Sequence, residues 1–280
     1  ASSNKTIKLD FNCNENFWSI DGNGNIQQWS LKNKKITGGD TIISGSPGTG
    51  LAYCGGPSSP TFYCGNYPDS SISYYDSLNN WASIKTPFYL GNNGGYKNHQ
   101  YYLRVQDDPS LGFSSNRALY YYNGTNFTIV DSLITDNFAV ADVAVDTMGR
   151  AWAFLGVELL QADKLNVYDS TGLIRSYAIS FNSNGAFGSF FLNDTLYLGF
   201  FRGFIKPVII NGATAQLGDS ILLSGANNYY DLASCPFHPS LQTSIQDEFS
   251  PSRIKFFPNP TDSRINLPKD INVIGIEVYD

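Results

Sequence analysis

Short apolar or alternating runs recur along the chain, and most close on glycine, asparagine or aspartate. The clearest set is Ala139–Val145, Ala151–Leu155, Lys164–Tyr168 and Leu173–Ile179, with turns at Thr147-Met148-Gly149 and Asp169-Ser170-Thr171-Gly172. Runs this short, rich in β-branched and aromatic residues and bounded by turn residues, predict strands. The first of the four is made of small residues, the second carries aromatics, the third alternates with polar residues, and the fourth reads as an outer strand.

The pattern repeats. Small-residue inner strands are expected near Gly50, Asn98, Asp142, Gly188 and Asp231, at gaps of 48, 44, 46 and 43 residues. Four strands and their turns fill about 40–50 residues, the size of one propeller blade. Full blades are expected to start near residues 48, 94, 137 and 183, and Gly94–Leu133 fits the pattern worst. The last inner strand, at 229–235, lacks three followers. Those three stand at the other end of the chain, at Asn16–Ile20, Asn25–Ser30 and Ile36–Ile43, after which the count restarts. The fold class expected is therefore all-β: a five-bladed β-propeller over residues 1–240 with one blade shared between the termini. Six blades is the alternative count, and a β-sandwich would also show regularly spaced strands.

Composition agrees with an all-β chain. Of 280 residues, 15% are aromatic, with 18 Tyr and 19 Phe, and glycine occurs 26 times. The net charge of −6 argues against a nucleic-acid partner, which selects a basic stripe. No apolar run reaches the ~18 residues that a membrane helix requires, so no membrane span is expected. The first residues, Ala1-Ser2-Ser3-Asn4-Lys5, lack a basic and an apolar region, as in a chain already relieved of a signal peptide. Four cysteines, Cys13, Cys54, Cys64 and Cys235, allow three pairings. Cys54–Cys64 would staple a local loop, and Cys13–Cys235 would lock the shared blade. Free buried thiols are the alternative. Without a CxxC, and with only two histidines, a zinc site is not expected.

After Cys235 the texture changes. Residues 241–253 read as a linker, and 254–280 as the start of a second domain. There Ile254-Lys255-Phe256-Phe257-Pro258-Asn259-Pro260-Thr261 precedes Arg264-Ile265-Asn266-Leu267 and then Ile276-Glu277-Val278-Tyr279-Asp280. This ordered set resembles the front half of the type A C-terminal sorting domain of the Bacteroidetes type IX secretion system. Phe257, Pro258, Asn259, Pro260 and Thr261 carry the sorting motif. The resemblance implies a small β-sandwich, export across both membranes, the type IX secretion machinery as a partner, and a secreted or outer cell-surface location. It also implies O-glycosylation at Asp-Ser/Thr triplets such as Asp146-Thr147-Met148 and Asp169-Ser170-Thr171, although Asp-Ser is a good turn former too. The upstream repeat is similar to propeller domains of unknown function that precede such sorting domains.

Candidate chemistry is sparse. His99 lies near a predicted inner strand beside Asn98, and His238 stands in the exit from the repeats. Asp142 and Asp231 hold matching positions on two inner strands. A carbohydrate-active hydrolase would need such carboxylates roughly 5–10 Å apart, whereas a structural role would have them accept backbone hydrogen bonds in turns. Asp21-Gly22-Asn23-Gly24-Asn25 has the composition of a weak calcium loop, but fits a hairpin turn better. No other cofactor is indicated. Tyr63, in the segment between Cys54 and Cys64, could stack on a sugar from a recognition loop. The binding candidates are thus Asn98, His99, Asp142, Asp231 and Tyr63. The function expected is a binding or adhesion module for a glycan or a surface protein, with a hydrolase or a structural surface component as alternatives.

Overall fold

The computed structural model describes residues 15–234, except 49, 54–61, 67–68, 76–79, 97–98, 105–117, 133–136, 157–161, 184, 193–194, 202 and 224–228. For 91–93, 96, 99, 103–104 and 137–141 it describes the backbone alone. The chain divides into two compact units, Ala1–Gln242 and Thr243–Asp280. The second unit, with the sorting motif Phe257–Thr261, lies outside the described residues, as do Cys13, Cys54, Asn98, Cys235 and His238.

The described residues are all-β, built from antiparallel meanders. One sheet joins β1 (Asn16–Asp21), β2 (Ile26–Lys32) and β3 (Lys35–Ile43) to the last described strand, β21 (Tyr229–Ser234), in the order β21-β1-β2-β3. Residues near both ends of the described chain thus share a sheet, with Trp18 opposite Ala233 and Ser19 opposite Leu232. A second sheet holds β4 (Ala52–Tyr53), β5 (Phe62–Gly65), β6 (Ser71–Tyr75) and β7 (Trp81–Lys85). A third holds β8 (Leu90–Tyr96), β9 (His99–Arg104), β10 (Ala118–Tyr122) and β11 (Phe127–Ser132). Then come β12 (Asn137–Val145), β13 (Ala151–Gly156), β14 (Lys164–Asp169) and β15 (Gly172–Ile179). They are followed by β16 (Ala186–Leu192), β17 (Thr195–Phe200), β18 (Phe204–Asn211) and β19 (Thr214–Leu217), with the short β20 (Ile221–Leu222) beside β18.

The meanders β12–β15 and β16–β19 merge into one nine-stranded sheet, because β15 and β19 pair in parallel at Ala178–Thr214 and Ile179–Ala215. The repeat pattern predicts separate sheets here. The stitch forms because β19 turns back after Asn211 and lays its first residues along the outer edge of β15.

First strands pack on first strands: β4 on β8, β8 on β12, β12 on β16, β16 on β21 and β21 on β4. The contacts return to their starting point, which is a propeller-type arrangement around a central axis. Aromatic side chains fill the wedges between sheets. Phe17 of β1 stacks on Phe190 of β16 at 4.6 Å, and Trp18 stacks on Tyr53 of β4 at 4.8 Å. Trp152 of β13 meets Phe191 of β16 edge-on at 5.5 Å. Alternation along β1 sends Phe17 to one neighbouring sheet and Trp18 to the other, and both are fully buried. Each such ring contributes about 2–3 kcal/mol of apolar burial.

Near the axis the first strands approach so closely that glycine becomes necessary. A Cβ on Gly94 would collide with the Val143 carbonyl oxygen of the adjacent β12. This moves the inner strand, which the sequence pattern centres near Asn98, to an earlier stretch. The first strand here is β8, and Gly94-Gly95 hold its axial stretch, while β8 ends at Tyr96 and His99 begins β9.

Candidate functional site: a buried carboxyl pair beside the axis

Asp142 on β12 and Asp231 on β21 are both completely buried. Each accepts the backbone N–H of a different first strand or its lead-in. Ser189 of β16 donates its N–H to Asp142 Oδ2, and its Oγ lies 3.2 Å from the same oxygen. Leu51, just before β4, donates its N–H to Asp231 Oδ2 at 2.6 Å, and Leu232 donates to Oδ1 at 2.7 Å. Val143 N–H also serves Asp142. The two carboxyl groups lie close enough to act on each other's protonation. Among the described residues, Asp142 Oδ1 finds no conventional donor.

Burial pushes the Asp142 carboxyl up to about 7, against the lowering effect of its hydrogen bonds, the Ser189 N–H first. Burial, and then the charge on Asp142, hold Asp231 well above the ordinary carboxylate range. Two desolvated carboxylates this close repel each other, so the pair retains a proton where isolated aspartates have lost theirs. This arrangement corrects the expectation of turn acceptors: the bonds run between first strands, not within hairpins. It also differs from a glycosidase pair, whose carboxyls stand at least about 5 Å apart with a sugar between them.

Beside the pair, a cavity of only about 20 Å³ follows the axis. Every first strand contributes to its wall, through residues such as Tyr53, Gly94, Val145, Ser189 and Ser234. Small-molecule pockets occupy about 300–1,000 Å³, so this space falls below that range.

The other candidates lie elsewhere. Tyr63 is on strand β5, half-buried, with its ring 5.8 Å from Tyr74 and packed against Ile72, Leu90 and Tyr102. It is a wedge residue rather than a loop tip, because β5 begins at Phe62. Cys64 carries a free, buried thiol, so the Cys54–Cys64 staple is not formed. Alternation on β5 turns Cys64 into the core with Phe62, Trp18 and Leu51, where Ser46 Oγ donates to its sulfur at 3.2 Å. The backbone places His99 opposite Tyr96, across the β8–β9 hairpin and off the axial strand.

Asp21 is a hairpin clamp, its oxygens taken by Asn23 N–H, Asn25 N–H and Asn25 Nδ2 at 2.8–3.0 Å. Asp169 does the same for Thr171 and Gly172. Asp146 binds the N–H groups of Met148 and Arg150, the Arg150 guanidinium at 2.7 Å and Trp152 Nε1 at 3.0 Å. Among the described residues, no three His, Cys, Asp or Glu side chains gather as a metal-binding group.

Sequence reasoning missed Ser189, which reads as an ordinary strand residue. Its signal was its position 47 residues after Asp142, one repeat further on. It also missed an apolar surface where the first strands begin. Phe201 in the β17–β18 turn, Tyr230 on β21 and Leu222 on β20 are exposed, at 52%, 43% and 73%. Beneath Phe201, Phe187 touches its ring at 4.8 Å and the buried Tyr229 ring at 4.5 Å.

No protein-family model and no curated protein sequence matches the chain. Similar solved structures include one titled for a nidogen/laminin complex, at 11% identity and a TM-score of 0.48, covering 78% of this chain and 97% of that one. Another is an inactive virginiamycin B lyase from Staphylococcus aureus with quinupristin, at 10% identity and a TM-score of 0.45, covering 78% and 74%. A third is the WD40 β-propeller domain of Doa1, at 10% identity and a TM-score of 0.42, covering 77% and 67%. These similarities are of general shape, and no activity or ligand follows from them.

Proposed function

We propose that residues 1–240 form a five-bladed propeller closed by a blade shared between the two ends of the chain. In this reading the protein is exported through the type IX secretion machinery and acts at the cell surface as a binding or adhesion module for a glycan or a protein. The observation that carries the binding reading is how the side chains are allocated. The carboxylates that chemistry would use are buried and accept backbone N–H groups, and the Ser189 hydroxyl donates to Asp142. Phe201, Tyr230 and Leu222 remain exposed where the first strands begin. Exposed aromatic rings beside polar hairpins suit stacking on sugar faces or anchoring a protein partner.

The test is a thermal-shift screen of the whole chain against plant, algal and bacterial polysaccharides, with and without calcium. A ligand that binds only the folded state adds about 2.7 kcal/mol at a hundred times Kd. The expected result is a shift with one polymer class that Phe201→Ser and Tyr230→Ser both abolish. A shift unaffected by either variant would reject this surface, and no shift with any polymer would leave a protein ligand. Export is tested separately by deleting residues 254–280 and following secretion.

A further inference from the structure

We infer that a single proton shared between Asp142 and Asp231 latches β21 into the ring, so that the junction of the chain ends loosens as pH rises. The argument begins with hydrogen-bond supply. Four backbone N–H groups and one hydroxyl point at the pair, from Ser189, Val143, Leu51 and Leu232. They leave Asp142 Oδ1 buried without a donor. An oxygen in that state costs free energy. One proton held between the two carboxyls adds a donor at the pair and removes the repulsion of two buried charges in one step.

The location of the pair makes this proton a latch. β21 is the strand that pairs with β1 to complete the shared sheet. Asp231 is its one acidic residue, and it links β21 to two other sheets: to the lead-in of β4 through Leu51 N–H, and to β12 through Asp142. Compensating charge is absent among the described side chains around it. The elements packed against β12 and β21 are β1, β4, β8, β9, β13 and β16. Their described titratable side chains are Asp21, Tyr53, Tyr101 and Tyr102, to which β21 adds Tyr229 and Tyr230, and none is a cation. The Cys64 thiol on β5 also feels Asp231 and is held neutral by burial. Asp21 spends its carboxylate on its own hairpin, at the solvent end of β1.

The sign follows from linkage. In the closed ring the pair keeps its proton to neutral pH, whereas a solvated aspartate loses it near pH 3.9. Opening therefore releases a proton. Stability from this pair is fully present below the pKa of a solvated aspartate and is lost as pH rises through the raised values. The opening constant of β21 should rise about tenfold per pH unit across that window and flatten above it.

Hydrogen exchange on the full chain reads this directly. The amides of residues 229–234 would be followed from about pH 5 to about pH 8, corrected for intrinsic exchange, with those of β14 as the internal control. The expected result is opening of β21 that climbs with pH while β14 stays level. Asp231→Asn keeps one acceptor for Leu51, gives up the oxygen that takes the Leu232 N–H and cannot ionise, so the protein is less stable at every pH but the climb should disappear. A level profile for β21 in the unsubstituted protein overturns the proposal, and that measurement depends on no variant. A climb that persists in Asp231→Asn overturns it as well. So does calcium at millimolar concentration that closes β21 at high pH, because the pair would then be a cation site.

Discussion

Asp231 accepts the backbone N–H of Leu51 at 2.6 Å across 180 residues of sequence. Asp142 repeats the relationship with Ser189 at a separation of 47 residues. In both cases an aspartate on one first strand caps a backbone donor at the next, and the carboxylate replaces a hydrogen bond that no strand pairing supplies. Near the axis the sheets diverge outwards, so their first strands touch without forming a ladder. An aspartate is short enough to bridge that gap and has two acceptors. Replacing Asp231 by Ala strands the Leu51 and Leu232 N–H groups in the interior, at about 1–3 kcal/mol each. Urea unfolding should show a loss of about 3 kcal/mol or more near pH 6, and a loss below 1 kcal/mol would make these bonds dispensable.

Much of the strand order was legible in advance. The strands β12–β15 fall within two residues of their expected ranges, and β1–β3 were expected as followers of a strand at the far end of the chain. The turns after β1, β12 and β14 are marked by Asp-x-x-Gly, which fixes hairpins locally. What was hidden depends on contacts between repeats. Gly94-Gly95 take the axial place on β8, earlier than the sequence pattern centres that strand, since the five glycines and asparagines Gly91–Gly95 offer no side-chain pattern to set its register. The parallel β15–β19 pair depends on the distance between outer edges, which no local pattern encodes. Asp142 and Asp231 were visible as a matched pair, but their mutual approach required the ring to close.

Two glycines packed against a neighbouring first strand give a graded prediction. On Gly94 a Cβ meets the Val143 backbone oxygen, which cannot move without displacing β12. On Gly199 it meets Leu232 Cδ1, the end of a side chain that can rotate. Gly94→Ala should therefore cost about 3 kcal/mol and Gly199→Ala about 1 kcal/mol, read from the midpoints of denaturant unfolding. The reverse order would mean that β8 and β12 are not held as closely as described.

The hairpin between β2 and β3 can be improved. Asn33 and Lys34 form a two-residue turn with φ of 53° and 60°. That is the left-handed region required at both positions of a type I′ turn, which Asn-Gly suits best. Lys34→Gly removes the Cβ strain of a left-handed lysine and should raise stability by about 1 kcal/mol, seen as a higher Tm. An unchanged or lower Tm would show that the entropy of the added glycine outweighs the relief.

The Trp18 ring, stacked on Tyr53 at 4.8 Å and edge-on to Phe62 at 5.4 Å, joins the shared sheet to the β4–β7 sheet. Trp18→Ala opens a cavity at that junction and should cost about 3–5 kcal/mol. Because the lost contacts are confined to one wedge, protection should fall most in β1, β4 and β5, with β14 affected least. Hydrogen exchange of the variant distinguishes this from a uniform loss, which would indicate that the sheets unfold as one unit.

Cys64 provides a test of core integrity at the same wedge. Burial pushes its thiol up to about 12, so the thiolate that alkylating reagents require is almost absent at neutral pH. In the native protein at about pH 8, iodoacetamide should leave the peptide containing Cys64 unmodified, while the same treatment in urea without reductant should label it. Labelling in urea requires the thiol to be free, because a disulfide would survive the denaturant. An unlabelled Cys64 in urea that becomes reactive only after reduction would show a bonded cysteine in the folded protein, and strand β5 would then have to turn this side chain out of the cluster with Trp18 and Phe62.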